Sequence, residues 1–115
     1  MKIVRSKDFT GSRAWEALDI ANMNGITTRL HWTDQPYRWH INDGEEVFVV
    51  LDGRVQMHYR DNGFEQVAEL GVGDIFYASV GTELQPLRIA TPASLACASS
   101  TPTPLTKVRQ SDRSQ

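Results

Sequence analysis

Turn signals recur at short intervals along this chain, and no other feature limits its fold as tightly. They are MNG at 23–25, LDG at 51–53, DNG at 61–63, GVGD at 71–74 and SVG at 79–81. Asn-Gly and Asp-Gly favour the positive backbone angles of tight hairpin turns. Between them lie short runs rich in β-branched and aromatic residues: ITTRLHW, EVFVVL, RVQMHYR, FEQVAEL and DIFYAS. In RVQMHYR, Val55, Met57 and Tyr59 alternate with Arg54, Gln56, His58 and Arg60. Period two broken by frequent turns predicts antiparallel strands, and many short strands predict a sandwich or small barrel. AWEALDIANM has helical propensity, but the Asn-Gly turn after it needs two pairing arms, so its second half is expected to be a strand. EVFVVL is almost wholly apolar and reads as a strand covered on both faces, by a second sheet of the same chain or by a partner subunit. A homodimer is the expectation that follows.

At 115 residues the chain suits one domain, 1–115, with a core over about 15–100. From Leu84 onward it carries four of the five prolines and many Ser, Thr and Ala; LRIA and SLACA are candidate strands, and about 101–115 reads as an extended tail. A net charge of −2 gives no basic nucleic-acid surface, and the longest apolar run, Val47 to Leu51, is far too short for a membrane-spanning helix. No secretory signal is evident at the start. Cys97 is the only cysteine, which points to a core thiol and a reducing, cytoplasmic setting.

The chemistry concentrates in YRWHINDGEEVFVVLDG, Tyr37 to Gly53. His40 and Asn42 are two apart and share a strand face, and Glu46 follows at even separation, so the three can converge inside a barrel. Imidazole plus carboxylate suits a divalent transition metal such as Zn, Fe, Mn or Ni, with the Asn42 amide a weaker donor. The competing reading has His40 hydrogen-bonded to Glu46 in a polar pocket, or Glu46 paired with Arg38 or Arg54. Other pocket candidates are His31, Arg38, His58 and Tyr77. Trp32 and Trp39 are candidates for filling the barrel or a dimer contact. The face of ITTRLHW stays open: if Leu30 and Trp32 face the core, His31 faces out; if not, Arg29 and His31 enter the cavity.

WHINDGEEVFVVLDG and GDIFYASVGTEL resemble the two motifs of the cupin superfamily, similar to G-x5-H-x-H-x3,4-E-x6-G and G-x5-P-x-G-x2-H-x3-N. His40, Glu46 and Gly53 match the first, and Gly73 and Gly81 match the second. Asn42 replaces the second histidine, Leu84 the third, Ser79 the proline and Arg88 the asparagine. The resemblance covers roughly residues 25 to 84. It implies an all-β, antiparallel jelly-roll barrel, usually dimeric, with a small-molecule ligand in the barrel mouth and a metal held by His40, Asn42 and Glu46. The implied function is metal-assisted, isomerase- or oxygenase-like chemistry. The alternative is a non-catalytic binding or structural module with a decayed metal site. The break at Leu84 coincides with the shift in tail composition, so either ordinary divergence or a change of reading frame has replaced the last ligand and the final strands.

Overall fold

The structure is a computed structural model that describes residues 1–88 and 92–100. After a 3₁₀ turn at Ser6–Asp8 come nine strands: β1 (Glu16–Met23), β2 (Ile26–Thr33), β3 (His40–Ile41), β4 (Glu46–Asp52), β5 (Val55–Asp61), β6 (Phe64–Leu70), β7 (Ile75–Ala78), β8 (Glu83–Arg88) and β9 (Ala93–Ser100). They form two antiparallel sheets, β1-β2-β9-β4-β7 and β3-β8-β5-β6.

Two Asn-Gly turns join hairpin arms as expected. Asn24 and Gly25 (φ 54 and 89) close β1 onto β2, and Asn62 and Gly63 (φ 53 and 81) close β5 onto β6. The Asp52-Gly53 turn differs from this expectation. It carries the chain from the first sheet to the second, so it is a corner rather than a hairpin. Gly53 sits there at φ +76, and an added Cβ would meet the Pro92 carbonyl oxygen at 2.4 Å.

The register fixes which side chains face the space between the sheets, because residues paired across a ladder share a face. From the first sheet Phe48, Val50, Ala78, Ala93, Leu95 and Cys97 point inward; from the second Val55, Met57, Leu70 and Leu84 meet them. Phe76 and Tyr59 touch edge-on from opposite sheets, their centroids 5.4 Å apart. Fully burying one such Leu or Val stabilises by roughly 1.5–3 kcal/mol, which makes this shared interior the main support of the fold.

One expectation is corrected. EVFVVL is not covered on both faces within one chain: Val47 and Leu51 point away from the interior and are 40% and 37% exposed. The second sheet lies only on the Phe48 and Val50 side. After Leu84, where the sequence reading weighs divergence against a change of frame, regular strands continue. β9 runs between β2 and β4 at the centre of the five-stranded sheet, contributing Ala93, Leu95 and Cys97 to the core. The expected tail at 101–115 lies outside the described residues.

Candidate functional site

His40, Leu84 and Tyr59 form one row across β3, β8 and β5, on the interior face of the second sheet. Leu84 is fully buried. The His40 Nδ1 lies 3.2 Å from the Arg38 carbonyl oxygen. A carbonyl only accepts, so Nδ1 carries the proton in this bond. Asn42 is 6% exposed. Its backbone is tied on both sides, the N–H to the Thr82 carbonyl and the C=O to the Gly81 N–H, both at 2.9 Å. Its side-chain Nδ2 is buried without a hydrogen-bond partner.

Glu46 opens β4 on the interior face of the facing sheet, beside Ser99 of β9, whose hydroxyl donates to Glu46 Oε2 at 3.0 Å. Burial pushes the neighbouring Cys97 thiol well up, with a further push from Glu46 and a weaker opposing pull from Arg29. Cys97 is therefore a neutral core thiol, not a nucleophile.

The face of β2, which the sequence left open, is settled by register. Arg29 and His31 pair with Cys97 and Leu95, so they face inward. Leu30 and Trp32 face outward, yet Leu30 is 1% exposed. The N-terminal segment lies over this side: a Cβ on Gly11 would press into the Trp32 ring at 2.6 Å. Trp39 also lies outside, with the Arg60 guanidinium stacked 4.0 Å from its ring centre. Neither Trp32 nor Trp39 fills the barrel. Trp15 does, packed against the core from just before β1.

Trp15 is the functional candidate that sequence reasoning missed. Its ring meets His31 edge-on at 6.2 Å and Tyr37 at 5.3 Å, and Tyr37 meets His40 at 5.1 Å. A chain of rings thus links β2 to β3 at one end of the interior. Burial, reinforced by the Arg29 charge, holds His31 down at about 4, so it is neutral at physiological pH. Arg29 itself pairs with Asp19 at 2.8 Å, in a position open to water on the Asp19 side.

Three of the pocket candidates lie elsewhere. His58 is on the outer face of β5, because its neighbours Met57 and Tyr59 take the inner one. There its Nδ1 lies 3.1 Å from Glu65 and its Nε2 2.9 Å from Gln56. Tyr77 is on the outer face of β7, 58% exposed, with its hydroxyl donating to Glu45; that bond raises its pKa. Arg38 is exposed, contributing its backbone carbonyl to His40.

This topology, with the first-motif side chains on the inner faces of two packed antiparallel sheets, defines a cupin-type jelly roll. The comparisons agree: the chain has the cupin, or double-stranded β-helix, fold. It is similar to a cupin-2 domain-containing protein from Shewanella frigidimarina at 25% identity and TM-score 0.68, covering 78% of this chain and 84% of that one. A cupin superfamily protein from Desulfitobacterium hafniense is similar at 9% identity and TM-score 0.71, covering 84% and 87%. HppE, in a structure with CoII and substrate, is similar at 13% identity and TM-score 0.65, covering 85% of this chain and 57% of that one. No family model matches the sequence, and no curated protein matches it.

The donor set does not fit a resident transition metal. His40 and Glu46 are strong donors, Asn42 adds only an amide, and Leu84, directly across from His40, puts an isobutyl group where the resemblance calls for a third imidazole. Among the described residues no three His, Cys, Asp or Glu side chains gather closely enough to hold a metal ion.

Proposed function

We propose that the chain is a small-molecule-binding cupin whose site lies between the sheets at the barrel mouth and works without a tightly held metal. The observation that carries this reading is the pairing of His40 with the buried, apolar Leu84, while His31, His40, Asn42 and Glu46 all belong to the inner faces. With two of the three motif imidazoles replaced, these groups act by hydrogen bonding. The His40 Nε2 and the Glu46 carboxylate can exchange a proton with a bound ligand, and neutral His31 adds a polar contact without charge. Pockets that are mostly apolar with a few converging polar groups bind small molecules in this way.

The competing reading, metal-assisted isomerase- or oxygenase-like chemistry, draws support from the CoII complex of HppE. Metal analysis separates the two. Protein produced with iron, zinc, manganese and nickel supplements and purified without chelator is expected to hold less than about a tenth of an equivalent. One equivalent, lost in His40→Ala, would overturn the metal-free reading in favour of the metal-assisted one.

A further inference from the structure

Asparagine is a chemically labile residue, most of all when glycine follows it, and this chain places Asn-Gly at two hairpin turns. In the reaction concerned, the backbone nitrogen of the glycine attacks the asparagine side-chain Cγ. A C–N bond forms, the bond from Cγ to the side-chain nitrogen breaks, and ammonia leaves with the proton of the glycine amide. Water then opens the cyclic imide at either carbonyl, leaving aspartate or isoaspartate. Glycine favours the attack because it has no Cβ to hinder the approach. Its N–H must give up a proton, so a group that holds that N–H slows the reaction.

The two turns are closely alike except at that N–H. Asn24 and Asn62 have nearly the same φ (54 and 53), both are exposed, and a Cβ on either glycine would meet nothing within 4 Å. Each turn joins an edge strand to its neighbour, β1 to β2 in the first sheet and β6 to β5 in the second. At the first turn the Gly25 N–H donates to Asn22 Oδ1 at 2.9 Å. Asn22 stands three places before the glycine. The same place before Gly63 is held by Arg60, whose guanidinium has donors and no acceptor, and which is engaged by Glu83 and the Trp39 ring. Among the described residues no side chain accepts from the Gly63 N–H, and Gly63 is also the more exposed of the two glycines.

We propose that Asn62 is a site of spontaneous deamidation and isoaspartate formation, and that Asn22 protects Asn24 from the same reaction by holding the Gly25 N–H. The consequence falls on the edge of the second sheet. Isoaspartate at 62 runs the backbone through an extra methylene. The two-residue connection between the paired Asp61 and Phe64 then no longer matches a type I′ turn. It also adds a carboxylate beside Asp61, where the unaltered turn has a neutral amide.

Incubation of the full chain at mildly alkaline pH, with isoaspartate mapped peptide by peptide, tests the proposal. Isoaspartate at 62 is expected to form about fivefold faster than at 24, the factor to which about 1 kcal/mol, the net worth of one hydrogen bond, converts. Asn22→Ala, checked for native circular dichroism, should raise the rate at 24 toward that at 62. Asn22→Asp keeps an acceptor oxygen and should leave the rate at 24 low. Amide hydrogen exchange reads the same N–H groups before any reaction: Gly63 is expected to exchange faster than Gly25, and Asn22→Ala to narrow the gap. Equal rates at 24 and 62 in the unaltered chain, or a rate at 24 that does not respond to Asn22→Ala, would overturn the protection by Asn22. Isoaspartate at 62 no faster than at the buried Asn42 would overturn the site itself.

Discussion

His40 and Leu84 stand opposite each other on β3 and β8, both facing the space between the sheets. Leu84 stands where the resemblance implies a ligand and serves the core: it is fully buried and belongs to one cluster with Met57, Leu95 and Cys97. Leu84→Ala should therefore destabilise the fold by about 2–5 kcal/mol, the usual cost of such a cavity. Ile41→Ala, next to His40 but 57% exposed, should cost well under half of that. Urea unfolding of both variants checks the contrast; equal losses would mean that Leu84 is not seated in the core.

The depressed His31 pKa has a stability consequence. The unfolded value is 6.5 and the folded one about 4, mainly because burial penalises the charged ring. Below pH 6.5 the unfolded chain takes up a proton that the folded one refuses, so stability falls as pH drops from 6.5 toward 4 and this contribution then levels off. The full shift corresponds to about 3 kcal/mol. Unfolding free energies between pH 7 and 4 should show a shallower pH dependence for His31→Gln than for the unaltered protein. Identical slopes would show that His31 is solvated in the folded chain.

Gly53 and Gly63 both adopt positive φ, but only Gly53 is crowded. A Cβ at Gly53 would meet the Pro92 oxygen at 2.4 Å and the Ala93 Cα at 2.9 Å, whereas nothing lies within 4 Å of one at Gly63. Gly63→Ala should cost about 1–2 kcal/mol from backbone strain alone. Gly53→Ala should cost clearly more, because backbone atoms at the corner must move. Thermal unfolding of the pair checks the order.

His58 and Tyr77 should be silent in ligand binding, since both project from outer faces. His58→Gln and Tyr77→Phe are expected to leave metal uptake by the Leu84→His, Asn42→His double variant unchanged. Weakened binding in either would place the site on the outside of a sheet instead.

Much of this fold was legible because turn chemistry and period-two alternation are local signals. The strands around Val55–Asp61 and Phe64–Leu70 and the two Asn-Gly hairpins follow from them directly. The parity of His40, Asn42 and Glu46 was legible for the same reason. The face of β2 was not. Leu30 and Trp32 look like core residues in sequence, yet they face outward, and Trp32 lies against the N-terminal segment at Gly11, a tertiary cover that no strand periodicity announces. Trp15 was hidden in the same way: it precedes β1 at φ 63, outside any alternation, and enters the interior through its backbone angle. The Asp52-Gly53 corner resembles a hairpin turn locally, and only the pairing of β4 with β9 and β7 shows that it changes sheets.

The central claim is that residues 40, 42, 46 and 84 share one interior space, lacking one imidazole and holding an amide in place of another. The most direct measurement is the metal content and metal affinity of the Leu84→His, Asn42→His double variant beside the unaltered protein, after folding is verified. The account expects the unaltered chain to stay below about a tenth of an equivalent and the double variant to approach one equivalent of zinc, iron, manganese or nickel. A folded double variant that binds no more metal than its parent would contradict it, because the four side chains would then not converge.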